Sequence, residues 1–140
     1  MYEKPFSLEI IAPDRVVLHG EAGSVSAPGT QGGFQVLYNH APLLSTLRVG
    51  RITVKDTAGA ATVFATSGGY LEVRDNKVVV LVETAELAGE IDLERARAAK
   101  ERAEQRLKSH DPSVDVVRAE AALERALNRL RCSSTSTPIR

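Results

Sequence analysis

Apolar and polar positions alternate in short runs along the front of the chain, and near residue 88 that period gives way to another. Phe6-Ser7-Leu8-Glu9-Ile10 alternates residue by residue and stops at Ala12-Pro13-Asp14, a turn signal. Val16-Val17-Leu18 and Val25 follow, interrupted by Gly20 and Gly23, and residues 28–33 read as a tight connection into Phe34-Gln35-Val36-Leu37. Further strands are predicted over 51–55, 62–66, 70–73 and 77–82, with turns at Asp56-Thr57-Ala58-Gly59, Gly68-Gly69 and Asp75-Asn76. The run Val78-Val79-Val80-Leu81-Val82 is apolar at every position, which predicts a central strand covered on both faces. Many short strands separated by turn residues predict a sandwich or flattened barrel rather than a βαβ fold.

Behind residue 88 the spacing changes to three and four, and Ala, Glu and Arg dominate, as in helices. Asp92 is placed to cap a helix running to about Lys108, with Glu94 in its first turn. Ser109-His110-Asp111-Pro112 breaks the pattern; Asp111 is expected to cap a second helix with Pro112 in its first turn. So short a connection folds the two helices back as an antiparallel hairpin. Its seam would be mostly alanine on the first helix (Ala96, Ala99, Ala103, then Leu107), facing Val116, Ala119, Leu123, Ala126 or Leu127, and Leu130. Alanine buries little area at roughly 25 cal/mol per Å², so the hairpin is expected to be marginal alone.

The arginines are patterned. Arg95, Arg102 and Arg106 step by seven and four, as do Arg118, Arg125 and Arg129, so each trio points within roughly 40° of one direction. Two such stripes suit a polyanion such as a nucleoside triphosphate, or an acidic protein loop. They equally suit a solvated face, since Glu101, Glu104, Glu120 and Glu124 lie near enough to pair with them.

Composition narrows the classes. With 18 basic and 18 acidic residues in 140, no global field favours nucleic acid or an anionic membrane. No apolar run reaches membrane-spanning length, and Met1-Tyr2-Glu3-Lys4-Pro5 does not begin a secretory signal. The lone Cys132 excludes an internal disulfide and fits a reducing compartment. His19, His40 and His110 are scattered, so no zinc spacing forms, and the glycines of 29–33 lack the Gly-Lys-Ser/Thr of a phosphate loop. No acid/base cluster or nucleophile motif is visible, so no catalytic site is expected.

In order and spacing, several segments resemble the ε subunit of F-type ATP synthases, over nearly the whole chain. They are the Gly-rich turn from Pro28-Gly29-Thr30 through Gly33, His40-Ala41-Pro42-Leu43-Leu44, and Ser67-Gly68-Gly69-Tyr70-Leu71-Glu72-Val73. Ile91-Asp92-x-x-Arg95-Ala96 is similar to that family's ATP-binding motif. Tyr38-Asn39 departs from the family's usual Pro-Gly, although Asn39 can adopt the left-handed conformation that glycine would.

The resemblance implies an α+β chain: an N-terminal antiparallel β-sandwich over 1–88, a C-terminal antiparallel two-helix hairpin over 89–132, and a flexible tail over 133–140. It implies a non-catalytic subunit of the rotating central stalk, peripheral on the cytoplasmic face of a bacterial plasma membrane. The sandwich would clasp the γ subunit and rest on the c-ring, with His40, Pro42 and Leu43 as partner contacts. The helices would reach the catalytic α/β subunits and block hydrolysis through Arg118, Arg125 and Arg129. ATP would be a regulatory ligand, with no cofactor required, held by Glu86, Ile91, Asp92, Arg95 and Ala96 and closed over by Arg102, Arg125 and Arg129. A free-standing nucleotide-sensing module is the alternative, using the same hairpin without a motor.

Overall fold

The computed structural model describes residues 4–134; residues 135–140 of the tail expected over 133–140, and the first three residues of the chain, lie outside the described residues. The described chain divides after Leu87 into a β unit and a helical unit.

The β unit contains ten strands: β1 (Phe6–Ala12), β2 (Arg15–Ala22), β3 (Ser24–Gly29), β4 (Gly32–Val36), β5 (Leu43–Leu47), β6 (Gly50–Lys55), β7 (Ala61–Thr66), β8 (Gly69–Arg74), β9 (Lys77–Val82) and β10 (Ala85–Leu87). They pair in the order β10-β7-β6-β3-β5-β8-β9-β1-β2, with β4 on β3. A single register pair, Gly29 with Leu47, carries the path from β3 to β5, so two layers are joined at one corner. Alternation then builds the core. Phe64, Ile52, Val25 and Val36 come from one layer and Leu8, Ile10, Leu71, Val78 and Val80 from the other, all in one buried cluster.

Several expectations need correction. The sheet is mixed, because β1 pairs with β9 in parallel. That pairing brings together strands far apart in sequence, where local turn chemistry has no say. β9 is central in hydrogen bonding, between β8 and β1, but only one of its faces is covered. Val78, Val80 and Val82 are buried while Leu81 is half exposed. Gly20 does not break β2, and the segments 43–47 and 85–87 are strands that the pattern did not mark.

The turns follow their chemistry. Asp75 and Asn76 both take positive φ (52° and 57°), as a two-residue hairpin requires. Gly69, at φ 155°, is held where an added Cβ would run into the Leu81 carbonyl oxygen and lie 2.8 Å from the Val82 Cα. Only glycine fits there.

In the helical unit a 3-10 turn at Ala88–Glu90 leads into α1 (Leu93–Lys108), and α2 covers Val116–Ser134. Asp92 is the N-cap of α1, its carboxylate accepting from the Arg95 N–H at 3.1 Å. The expected capping of α2 by Asp111, with Pro112 in the first turn, is wrong. Asp111 accepts instead from both the N–H and the hydroxyl of Ser113, each at 2.9 Å, closing a turn before the helix. Asp115 has the capping role, accepting from the Arg118 N–H at 3.1 Å. α2 also continues through Ser133 and Ser134, past the expected end at Cys132.

Candidate functional site

Two surfaces concentrate the candidate chemistry, one on each unit. On the β unit, strand alternation sends Leu44, Thr46, Tyr70, Glu72, Val79 and Leu81 to the same outward face. The registers place Thr46 beside Tyr70 and Tyr70 beside Leu81, with Leu44 beside Glu72 and Glu72 beside Val79. Leu44 is 70% exposed, Tyr70 53% and Leu81 50%. Three large apolar side chains are thus presented together on one exposed sheet face.

The loop before β5 is pinned beside this face. Asn39 takes φ 56°, as expected of its position, and its N–H donates to Asn76 Oδ1 at 2.7 Å. Asn76 Nδ2 in turn donates to the Pro5 carbonyl at 3.3 Å, so the loop and the β8–β9 turn share one anchor. His40 is half-buried and donates from Nδ1 to the Ala41 carbonyl at 2.7 Å, which places the ring proton on Nδ1. Pro42 is exposed; Leu43 is half-buried against the core. The outward leucine is its neighbour Leu44. Alternation over 43–47 holds that signal, but the segment is too short and too polar to stand out in the sequence.

The helical unit gathers Ile91, Asp92, Arg95 and Ala96 at the start of α1. Ile91 is buried, as is Ala96, whose N–H donates to the Asp92 carbonyl at 3.0 Å, while Asp92 and Arg95 face solvent. Capping engages Oδ1 of Asp92. Glu86 lies on β10 in the β unit and is half-buried.

The hairpin seam is alanine, as the spacing predicts: Ala96 and Ala103 on α1 and Ala119 and Ala126 on α2 are all at least 98% buried. Leu107, Leu123, Leu127 and Leu130 are only half-buried, and Val116 is 53% exposed, so it leaves the seam at which it was expected. Cys132 is buried, its thiol donating to Asn128 Oδ1 at 3.7 Å.

Arg95, Arg102, Arg106, Arg118 and Arg125 are exposed, and Arg129 is half-buried. Among the described residues the first five form no ion pair with Glu101, Glu104, Glu120 or Glu124. A cavity of about 420 Å³ at the loop end of the hairpin is lined by Arg106, Ser113, Val114, Asp115, Arg118 and Ala119. It brings Arg106 of one stripe together with Arg118 of the other. Two donated hydrogen bonds from Ser113, the backbone one foremost, hold the nearby Asp111 carboxyl below the usual aspartate range.

Comparison with known proteins agrees with both units. Residues 5–88 match the family described as ATP synthase, Delta/Epsilon chain, beta-sandwich domain, and residues 90–134 match the long alpha-helix domain of the same chain. The ATP synthase epsilon chain of Moorella thermoacetica is 51% identical over 108 residues, 77% of this chain and 81% of the relative. That of Syntrophomonas wolfei is 43% identical over 114 residues, 81% and 83% of the two chains. In solved structures, a chain of the Euglena gracilis mitochondrial ATP synthase, OSCP/F1/c-ring, superposes with a TM-score of 0.81 at 25% identity. The match covers 93% of this chain and 81% of that one. A chain of the Tetrahymena thermophila mitochondrial ATP synthase central stalk/c-ring shares the fold, with a TM-score of 0.60 at 16% identity, covering 99% and 100%.

A small β-sandwich followed by a helical hairpin, matched over both units by the Delta/Epsilon chain families, defines a stalk subunit of a rotary ATP synthase. The chain belongs to the ε-subunit family of F-type ATP synthases. It is a non-catalytic part of a membrane-associated complex whose catalytic sites lie on the β subunits. No helix among the described residues is long and apolar enough to cross a membrane.

Proposed function

We propose that this stalk subunit docks on γ through the outward sheet face of Leu44, Tyr70 and Leu81, meets the c-ring through the loop of His40 and Pro42, and brakes ATP hydrolysis with its helical hairpin. The complex would sit on the cytoplasmic face of a bacterial plasma membrane, with this subunit peripheral to it. The hairpin would have two states. Closed, it binds ATP through Ile91, Asp92, Arg95 and Ala96, with Arg102, Arg125 and Arg129 on the phosphates. Open, it presents Arg118, Arg125 and Arg129 to the catalytic α/β subunits.

The observation that carries this reading is the hairpin itself: a seam of alanines under the exposed Arg95, Arg102, Arg106, Arg118 and Arg125, which form no ion pair among the described residues. A weak apolar seam leaves closed and open states near in energy, so a few charge-assisted contacts at either site shift the balance. Because both sites use Arg125 and Arg129, ATP binding and inhibition oppose each other by linkage.

Titrating ATP into the isolated chain should give saturable one-to-one binding, weakened by Arg95→Ala and by Arg125→Ala at roughly 1.5–3 kcal/mol each. In the assembled enzyme, removing residues 112–140 should raise hydrolysis and leave synthesis intact, and high salt should mimic the change by screening the arginines. Equal hydrolysis by truncated and full-length assemblies, at low and high ATP alike, would refute the brake. Absence of any calorimetric heat at millimolar ATP would refute the nucleotide site.

A further inference from the structure

The strand path begins at β10 and ends at β2, and one side chain ties these two edges together: Arg15 Nη2 donates to the Ala85 carbonyl at 3.1 Å across 70 residues of sequence. We infer that Arg15 is a latch on β10 that sets where the β unit ends and its tether to the helical unit begins. Both sides of the latch have the form this requires. Arg15 opens β2 directly after the two-residue Pro13-Asp14 turn, its backbone held in register opposite Ala12. The base of the latch is therefore rigid.

β10 is the reverse. It is three residues long and pairs only with β7, at Ala85–Thr66, Glu86–Ala65 and Leu87–Phe64. Just ahead of it Thr84 is stitched firmly. Its carbonyl accepts from the Ser67 N–H at 3.3 Å and the Thr66 hydroxyl at 3.1 Å, and its own N–H donates to Ser67 Oγ at 3.1 Å. Thr84 stays fixed, then, whether or not β10 is paired.

N–H and C=O of one strand residue point to the same side, so the Ala85 carbonyl that faces Arg15 faces away from β7. Without Arg15 it is an unpaired edge group on a three-residue strand whose core contacts are the buried Ala85 and the half-buried Leu87. Latched, the tether starts after Leu87. Unlatched, it starts after Thr84, which adds three residues and roughly 10 Å of reach. A guanidinium suits this task because it stays charged at every physiological pH and reaches a carbonyl from a neighbouring edge.

Amide hydrogen exchange of the full chain, read by NMR, tests the latch. In Arg15→Ala the facing Glu86 and Ala65 amides should exchange at least about tenfold faster, the lower end for losing a hydrogen bond to a charged donor. Amides of the β8–β9 pair, such as Leu71 and Val80, should be unchanged. Unchanged exchange at Glu86 would overturn the inference. Should the variant lose protection everywhere and so fail to fold, the wild-type guanidinium decides. Resolved, slowly rotating Arg15 Nη signals support the latch, and freely averaged ones like those of an exposed arginine refute it.

Discussion

The weakness assigned to the hairpin seam can be measured by removing one methyl at a time. Ala103 and Ala126 are buried in the seam, while Ala98 faces solvent on the same helix as Ala103. Replacing alanine with glycine in a helix interior costs about 1 kcal/mol through backbone entropy wherever the residue points. At Ala103 and Ala126 the change also removes a buried methyl, worth about 0.8 kcal/mol. Ala98→Gly should therefore lower the stability of the helical unit by about 1 kcal/mol, and Ala103→Gly or Ala126→Gly by about 2 kcal/mol. The difference between buried and exposed sites corresponds to about a fourfold change in the opening equilibrium. Amide hydrogen exchange within α1 and α2 of the intact chain reads this directly, because local opening is separable from unfolding of the sheet. Equal effects at Ala98 and Ala103 would show that the seam contributes nothing. An excess at Ala103 above about 2 kcal/mol, well beyond one methyl, would show a hairpin too tightly closed to act as a switch.

Other expectations are equally direct. A chain ended after Ala88 should still unfold cooperatively in urea, because the buried cluster of the sandwich is drawn wholly from the strands; a non-cooperative melt would show that the helices complete its core. Gly69→Ala should cost at least about 2 kcal/mol, since φ 155° and the Leu81 carbonyl both exclude a Cβ. The matched Gly20→Ala, with open space around it, should stay within about 1 kcal/mol, and similar urea midpoints for the two would contradict the geometry. Asp111 should titrate below an ordinary aspartate by NMR, and Ser113→Ala should raise its midpoint only part of the way, since the backbone N–H, the larger cause, remains. The lowered value means that ionised Asp111 favours the turn above the ordinary carboxylate range, and that this contribution is lost as pH falls through the folded-state value. A full return to the ordinary value in that variant would assign the effect to the hydroxyl instead.

What the sequence determined by itself is what depends on neighbours a few residues apart. The period of two over 6–10, the switch near residue 88, the Asp92 cap, the left-handed Asn39 and the Asp75-Asn76 turn all follow from local sterics and hydrogen bonding, and all are present. The Ile91-Asp92-x-x-Arg95-Ala96 motif was legible only through its resemblance to a known family. Even locally there were competing solutions. Asp111 and Asp115 both precede α2, and the hydrogen bonds of Ser113 to Asp111 decide between them.

Tertiary structure decided what depends on partners distant in sequence. The parallel pairing of β1 with β9 turned Leu81 outward although its run is apolar throughout, because a sheet layer with one packed face covers only alternate residues. The same registers assembled Leu44, Tyr70 and Leu81, from three strands, into one contact face. β10 is too short to show a period, and it exists because β7 offers it an edge and Arg15 holds its Ala85 carbonyl. Periodicity records which residues can be buried, whereas the pairing of distant strands selects which of them are, and so which remain to meet a partner.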